Sequence, residues 1–290
     1  MNLLFDTGGA IGDFLLHPTD LSEASERAFH HALAIALRQS AQFTLLHAMG
    51  RRATDNWREF PSVRDKVAAW RAAGTLDGLE ERVRNASISK VEVDVRDPVA
   101  ASLQYIDRNA VDMIVLATQG RSGLARLVRP SLAERLARES KLFTLFVPHG
   151  GRYFVDAATG EVSLRRILLP VDSETDARPA MLRAVAAAAL LDDPSLEITL
   201  LHVDEGHESA QIENVPDLPY CRWNVQRQGG DVVEGILGVA EDIGADAIYM
   251  ATGWSKSGLG RAGGTVTERV LAGAVCPVAV VPVDGHAPRR

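Results

Sequence analysis

Two glycine-rich loops hold the residues of this chain best suited to chemistry. The later one reads Thr252-Gly253-Trp254-Ser255-Lys256-Ser257-Gly258-Leu259-Gly260-Arg261-Ala262-Gly263-Gly264-Thr265 and runs into a helical pattern. Glycines let backbone N–H groups approach a ligand, Lys256 and Arg261 add positive charge, and the positive end of a helix dipole comes next. Phosphate fits this combination, with a plain flexible loop as the alternative. Gly258, Gly260 and Gly263 also spell the dinucleotide fingerprint. That fingerprint belongs directly after the first strand of a βαβ unit, whereas here it comes after a late strand, so it is no sign of NAD.

The earlier loop reads Thr118-Gln119-Gly120-Arg121-Ser122-Gly123-Leu124-Ala125-Arg126-Leu127-Val128-Arg129-Pro130-Ser131. Pro130 stands where the later loop has Gly264, and proline has no N–H to offer an anion. It still suits the first turn of a helix. Phosphate binding here is the weaker expectation, with Arg121, Arg126 and Arg129 offering charge instead. Asp20 and Asp172 each close an apolar run; an exposed carboxylate there can accept from a ribose or base edge, or simply cap the next helix. His17, His30, His31, His47 and His202 are scattered, and His47 and His202 read as packed histidines at strand ends. No nucleophile elbow, Walker A loop or helical histidine pair for a metal is present, so neither a catalytic set nor a metal site is expected.

The two loops belong to two copies of one unit. Phe14-Leu15-Leu16-His17-Pro18-Thr19-Asp20 answers to Ile167-Leu168-Leu169-Pro170-Val171-Asp172, and Thr44-Leu45-Leu46-His47 to Thr199-Leu200-Leu201-His202. Further on, Asp97, Asp112, Thr118, Ser131, Glu134-Arg135 and Val147-Pro148 answer to Asp231, Asp246, Thr252, Thr265, Glu268-Arg269 and Val281-Pro282 at a constant offset of 134. Repetition of this kind decides the architecture. The first copy carries 21 more residues between His47 and Asp97 than the second does between His202 and Asp231. This insertion is placed at about 51–90, where Val63, Val67, Trp70, Leu76, Leu79 and Val83 predict one or two amphipathic helices. It reads as a surface decoration, with a lid or partner surface as the alternative.

Within the second copy the pattern predicts strands at 166–171, 197–203, 221–226, 247–251 and 278–283 and helices at 177–191, 232–243 and 266–274. Alternating strands and helices imply a parallel sheet wrapped by helices. Between the copies, 153–156 and 161–164 flank Ala157-Ala158-Thr159-Gly160 as a small hairpin. The expected organisation is a first domain at 1–149, a linker hairpin at 150–163 and a second domain at 164–290.

Composition supports a folded chain of two such units. Of 290 residues, 46% are hydrophobic and 24% charged, with a net charge of −7; disorder is excluded, and nucleic acid is not an expected partner. The longest apolar run, 184–191, falls far short of the roughly 18–20 residues that span a bilayer. The N-terminal residues lack a basic region ahead of an apolar stretch, and Cys221 and Cys276 are too few for a disulfide framework. A cytoplasmic protein with no membrane association is the expectation.

Pro18-Thr19-Asp20-Leu21-Ser22-Glu23-Ala24-Ser25, Thr44 to His47, and Asp112-Met113-Ile114-Val115-Leu116-Ala117-Thr118-Gln119-Gly120-Arg121-Ser122-Gly123-Leu124 closely resemble the universal stress protein (UspA) family, and the second copy resembles it again. The resemblance implies an α/β fold of two tandem Rossmann-like domains of the adenine nucleotide alpha hydrolase type, each with a five-stranded parallel sheet. Some members of the family bind ATP or AMP and others do not. Binding members carry glycine, two residues, glycine, nine residues, then glycine and serine or threonine. These positions fall on Ala117, Gly120, Pro130 and Ser131 in the first copy and on Ala251, Trp254, Gly264 and Thr265 in the second. Carried over, an ATP or AMP site in the second domain involves Pro170, Val171, Asp172, Val203, Met250, Ala251, Gly258, Gly264, Thr265 and Val266. Thr19, Asp20, Gly120 and Ser131 are the first-domain candidates. The implied role is a stress-response or regulatory module, not an enzyme. A slow nucleotide hydrolase or nucleotidyl transferase, and a protein-binding scaffold associating through its last strands 142–147 and 278–283, are the alternatives. The two copies are expected to pair within one chain as a pseudo-dimer, or the chain to form a homodimer.

Overall fold

Runs of Ile, Val and Leu without polar alternation suit strands that helices cover on both faces. In the computed structural model, which describes residues 12–49, 62–94, 97–118, 131–172, 175–191, 195–204, 221–253 and 264–283, every such run lies in one sheet. The first unit runs β1 (Phe14–Thr19), α1 (Glu23–Gln39), β2 (Gln42–Met49), α2 (Val63–Ala72), α3 (Glu80–Asn85), β3 (Ser87–Asp94), α4 (Pro98–Asn109), β4 (Met113–Thr118), α5 (Leu132–Ser140) and β5 (Phe143–Pro148). The second runs β6 (Arg166–Pro170), α6 (Arg178–Ala186), β7 (Leu196–Asp204), β8 (Cys221–Gly229), α7 (Val232–Asp242), β9 (Ala247–Thr252), α8 (Val266–Gly273) and β10 (Val278–Pro282). The helix predicted over 177–191 tightens into a 3-10 turn at Ala187–Leu190.

Strand order across the sheet is β3-β2-β1-β4-β5-β10-β9-β6-β7-β8. Each unit contributes five parallel strands. The units meet where β10 runs antiparallel to β5, with Val278, Ala279 and Val280 opposite Phe146, Leu145 and Thr144. The last strands of the two units are therefore spent on each other. That corrects the alternative in which they serve as edges for an outside partner.

Both faces are closed by cores that cross this seam. On one face α1 and α6 pack over Leu15, Phe43, Val115, Leu145, Ile167, Leu200 and Tyr249; on the other, α4, α5, α7 and α8 cover Leu16, Ile114, Phe146, Leu168, Ile248 and Val280. Alternation along each strand divides the two sets, as period-two geometry requires. Helix starts are capped by Ser22, Asp97, Ser131, Asp231 and Thr265, whose side chains accept backbone N–H groups of the first turn. Among the described residues no helix is long and apolar enough to cross a membrane.

The insertion is not surface decoration. Trp70 of α2 is fully buried, and its Nε1–H donates to Ala157 O at 3.2 Å, an oxygen that also accepts from Lys66 Nζ at 3.2 Å. Ala157 belongs to the segment between the units, where Val155 and Val162 form an antiparallel bridge. Gly160 closes that turn at φ +75°, and a Cβ there would sit 2.3 Å from the Trp70 ring. Insertion, α1 and hairpin thus form one packed layer, with Arg82 Nη1 of α3 donating to Arg38 O at 3.0 Å. The insertion is also shorter than its expected range, because residues 87–90 belong to β3, paired in parallel with β2.

Candidate functional site

A doubly wound sheet gathers chemistry at the carboxyl ends of its strands, where strand order reverses. Reversal falls between β1 and β4 in the first unit and between β6 and β9 in the second. The second crevice is lined by the chain just beyond β6, by the end of β9 and by the start of α8. Pro170 ends β6, and Val171 N donates to Leu201 O at 2.8 Å, holding the chain beside β7. Asp172 is exposed at the mouth. Across the crevice, β9 ends in Met250, Ala251 and Thr252. Thr252 Oγ1 accepts from Thr267 Oγ1 at 3.3 Å, which ties the strand end to the first turn of α8.

The start of α8 carries a reciprocal cap. Thr265 Oγ1 accepts from Glu268 N at 3.2 Å, and Thr265 N donates back to Glu268 Oε2 at 2.9 Å. Gly264 precedes it at φ +79°, and a Cβ built there would lie 2.8 Å from Glu268 Oε2. The conformation calls for glycine, while a Cβ would also press on the capping carboxylate. Substituting Gly264 by alanine is expected to cost about 1–2 kcal/mol for the left-handed backbone alone, read as a lowered denaturant midpoint; an unchanged midpoint would show that the helix start tolerates a side chain. The first unit repeats the cap, with Glu134 N donating to Ser131 Oγ at 3.2 Å and Ser131 N to Glu134 Oε2 at 3.0 Å.

Not every predicted residue offers its side chain to the crevice. Val203 and Met250 point into the core beneath α7 and α8, where Gly235 of α7 packs closely on Val203; they are 9% and 5% exposed. Pro170, Val171, Ala251, Gly264 and Thr265 are half-buried and Val266 is exposed. Gly120, Trp254, Gly258 and Pro130 lie outside the described residues.

The aspartates do not cap their helices. Asp20 accepts from Ser22 N at 3.0 Å and from Ser22 Oγ at 2.6 Å, and Ser22 is the residue that caps α1. Asp172 Oδ1 accepts from Thr175 N at 2.5 Å, while α6 starts later, at Arg178, and Ala177 before it offers no side-chain cap. Both carboxylates therefore stiffen the loop after a first strand. In the first unit the turn between Asp20 and α1 also holds Leu21 at φ +62°, a conformation costly for a branched side chain.

His47 and His202 occupy matching places. Their Nδ1–H groups donate to Thr19 O at 2.9 Å and Val171 O at 3.1 Å, so each fixes the backbone at the end of the neighbouring first strand. The first unit adds a buried relay that the sequence pattern does not single out. Leu21 N donates to Thr19 Oγ1, Thr19 Oγ1 to Ser25 Oγ, Ser25 Oγ to His17 Nε2 at 3.4 Å, and His17 Nδ1 to Val115 O at 2.9 Å. Burial pulls the His17 pKa down to about 4, which keeps the ring neutral. Ser25 is 2% exposed, so this serine–histidine contact is buried. Leu169 and Val171 hold the register positions of His17 and Thr19 in the second unit, which thus lacks the relay.

Two open clefts among the described residues lie elsewhere. One of about 460 Å³ is bordered by Arg71, Leu76 and Glu80 on the insertion, and one of about 300 Å³ by Arg27, Tyr153 and Asp156. Neither is bordered by a residue of β6, β9 or α8, so the crevice remains the candidate site. No group of three or more potential metal ligands occurs among the described residues.

Fold, strand order and crevice together define a doubly wound α/β protein of two like units joined through their last strands. The model of the universal stress protein family matches residues 15–148 and 218–282, and the chain belongs to that family. Residues 149–217, between the matched segments, contain β6, α6 and β7, which repeat β1, α1 and β2 in space. No curated protein matches the chain. Among solved structures, a universal stress protein from Archaeoglobus fulgidus is similar at a TM-score of 0.62 and 20% identity, covering 93% of this chain and 98% of that one. A protein of unknown function from Pseudomonas aeruginosa is similar at 0.59 and 15% identity, covering 93% and 92%. These likenesses show the fold.

Proposed function

We propose that the protein is a stress-response or regulatory module whose second unit binds an adenine nucleotide, ATP or AMP, at the carboxyl end of its sheet. The observation that carries this reading is Gly264: a left-handed glycine at φ +79°, placed directly before the capped start of α8 and beside the crevice between β6 and β9. A helix start with close backbone access is suited to phosphate. Base and ribose would rest against the chain at Pro170–Asp172 and the end of β9. The first unit carries Pro130 at the matching position and is assigned a structural role.

Calorimetric titration of the purified chain with ATP, ADP and AMP tests this, with Gly264→Pro as control. Proline removes the N–H and cannot adopt a φ of +79°. Heat with the wild type and none with the variant is the expected result. No heat with any nucleotide would reject the site, and release of phosphate from bound ATP would place the chain among the enzymes instead.

A further inference from the structure

Matching ion pairs tie each unit into its own helix layer. Arg135 of α5 reaches the α4 cap Asp97 at 3.3 Å, and Arg269 of α8 reaches the α7 cap Asp231 at 3.3 Å. Arg138 of α5 departs from this pattern, because its Nη1 crosses between units and meets Glu268 Oε1 at 3.2 Å. Both side chains are largely shielded, at 31% and 17% exposure. The position matching Arg138 in the second unit is Ala272, which has no charge to return to Glu134.

Glu268 is the carboxylate that closes the cap of α8. Its Oε2 holds Thr265 N and lies beside Gly264, while Oε1 is held by Arg138. A phosphate approaching this helix start would meet a full negative charge within a few ångströms, and a half-buried carboxylate repels it strongly unless neutralised. We propose that Arg138 of the first unit is a positioning residue for the anion site of the second: it neutralises Glu268 and holds it in the capping rotamer, so that a polyphosphate at the helix start is not met by an uncompensated carboxylate. The first unit thereby keeps a part in nucleotide binding without binding nucleotide itself. This rests on the reading that the second unit binds an adenine nucleotide.

The test is titration of the full chain with ATP and with adenosine, using Arg138→Gln, Arg138→Lys, Glu268→Gln and the double variant Arg138→Gln/Glu268→Gln. Glutamine at position 268 can still form the cap while removing the charge. Arg138→Gln is expected to weaken ATP about five- to tenfold, within the range of coupling between sites, and to leave adenosine unchanged. Arg138→Lys should keep most of the affinity, Glu268→Gln should bind ATP more tightly, and the double variant should bind no worse than Glu268→Gln. Equal ATP affinity in wild type and Arg138→Gln would overturn the inference and leave the nucleotide site standing. So would a loss that persists in the double variant, or a parallel loss for adenosine, which would mark a merely structural role. A wild-type chain that binds no ATP would overturn the nucleotide reading itself, and this inference with it.

Discussion

Replacing Trp70 by alanine is expected to lower the stability of the whole chain by about 3–5 kcal/mol, the cost of emptying a large buried aromatic site. Trp70 is 0% exposed, and the ring fills the space left by Gly160 while its Nε1–H serves Ala157 O. Trp70→Phe should cost less, because most of the ring volume stays and the main loss is the hydrogen bond, about 1 kcal/mol. Urea unfolding of both variants measures this. Were the insertion a loosely attached ornament, the alanine variant would unfold within about 0.5 kcal/mol of the wild type, as surface substitutions do.

Acid is expected to be the second large effect. Burial holds His17, His30 and His31 at about 4, 3 and 4, against 6.5 for an ordinary histidine. The unfolded chain therefore binds these protons at a pH where the folded chain refuses them. Stability contributed by the neutral rings is complete above pH 6.5 and falls as pH drops toward the folded values, by about 1.4 kcal/mol per pH unit for each ring. His30 Nδ1 and Nε2 and His31 Nε2 are buried without a hydrogen bond, in keeping with rings held neutral by burial. Around His30 stand Lys66 of α2 and Arg27 and His31 of α1, which disfavour its charge, and Asp156 of the hairpin, which favours it; Glu26 Oε1 lies 3.7 Å away. His31 packs edge-on against Phe154 of the hairpin at 4.5 Å. Denaturant midpoints measured between pH 6.5 and 4.5 should fall steeply, and His17→Leu, which installs the residue found at position 169, should remove about one third of the slope. A flat profile across that window would sink the prediction. The carboxylates held low by hydrogen bonds, such as Asp97 and Asp231, titrate below it.

How legible these features are depends on whether the chain offers a second copy for comparison. Strand ends, the capped starts at Ser131 and Thr265 and the matching histidines at 47 and 202 all have counterparts at fixed offsets, and so they can be placed from the residues alone. The insertion has no counterpart. Its apolar spacing foretells α2 and α3, yet periodicity says nothing about what a helix packs against, and the burial of Trp70 depends on a hairpin far along the chain. The caps of α1 and α6 escape for a related reason: Asp20 and Asp172 match as letters, while Ser22 takes the cap in one unit and no side chain takes it in the other. Arg138 is hidden for the opposite cause, since it breaks the repeat that organises everything else.

The antiparallel seam between β5 and β10 has a consequence for how the molecule presents itself. Reversing direction at that one pair turns the strands of the second unit head to tail against those of the first. The two crevices accordingly open at opposite ends of a single plane, and a body docked at one mouth is kept from the other by the full length of the strands. The chain is two-ended.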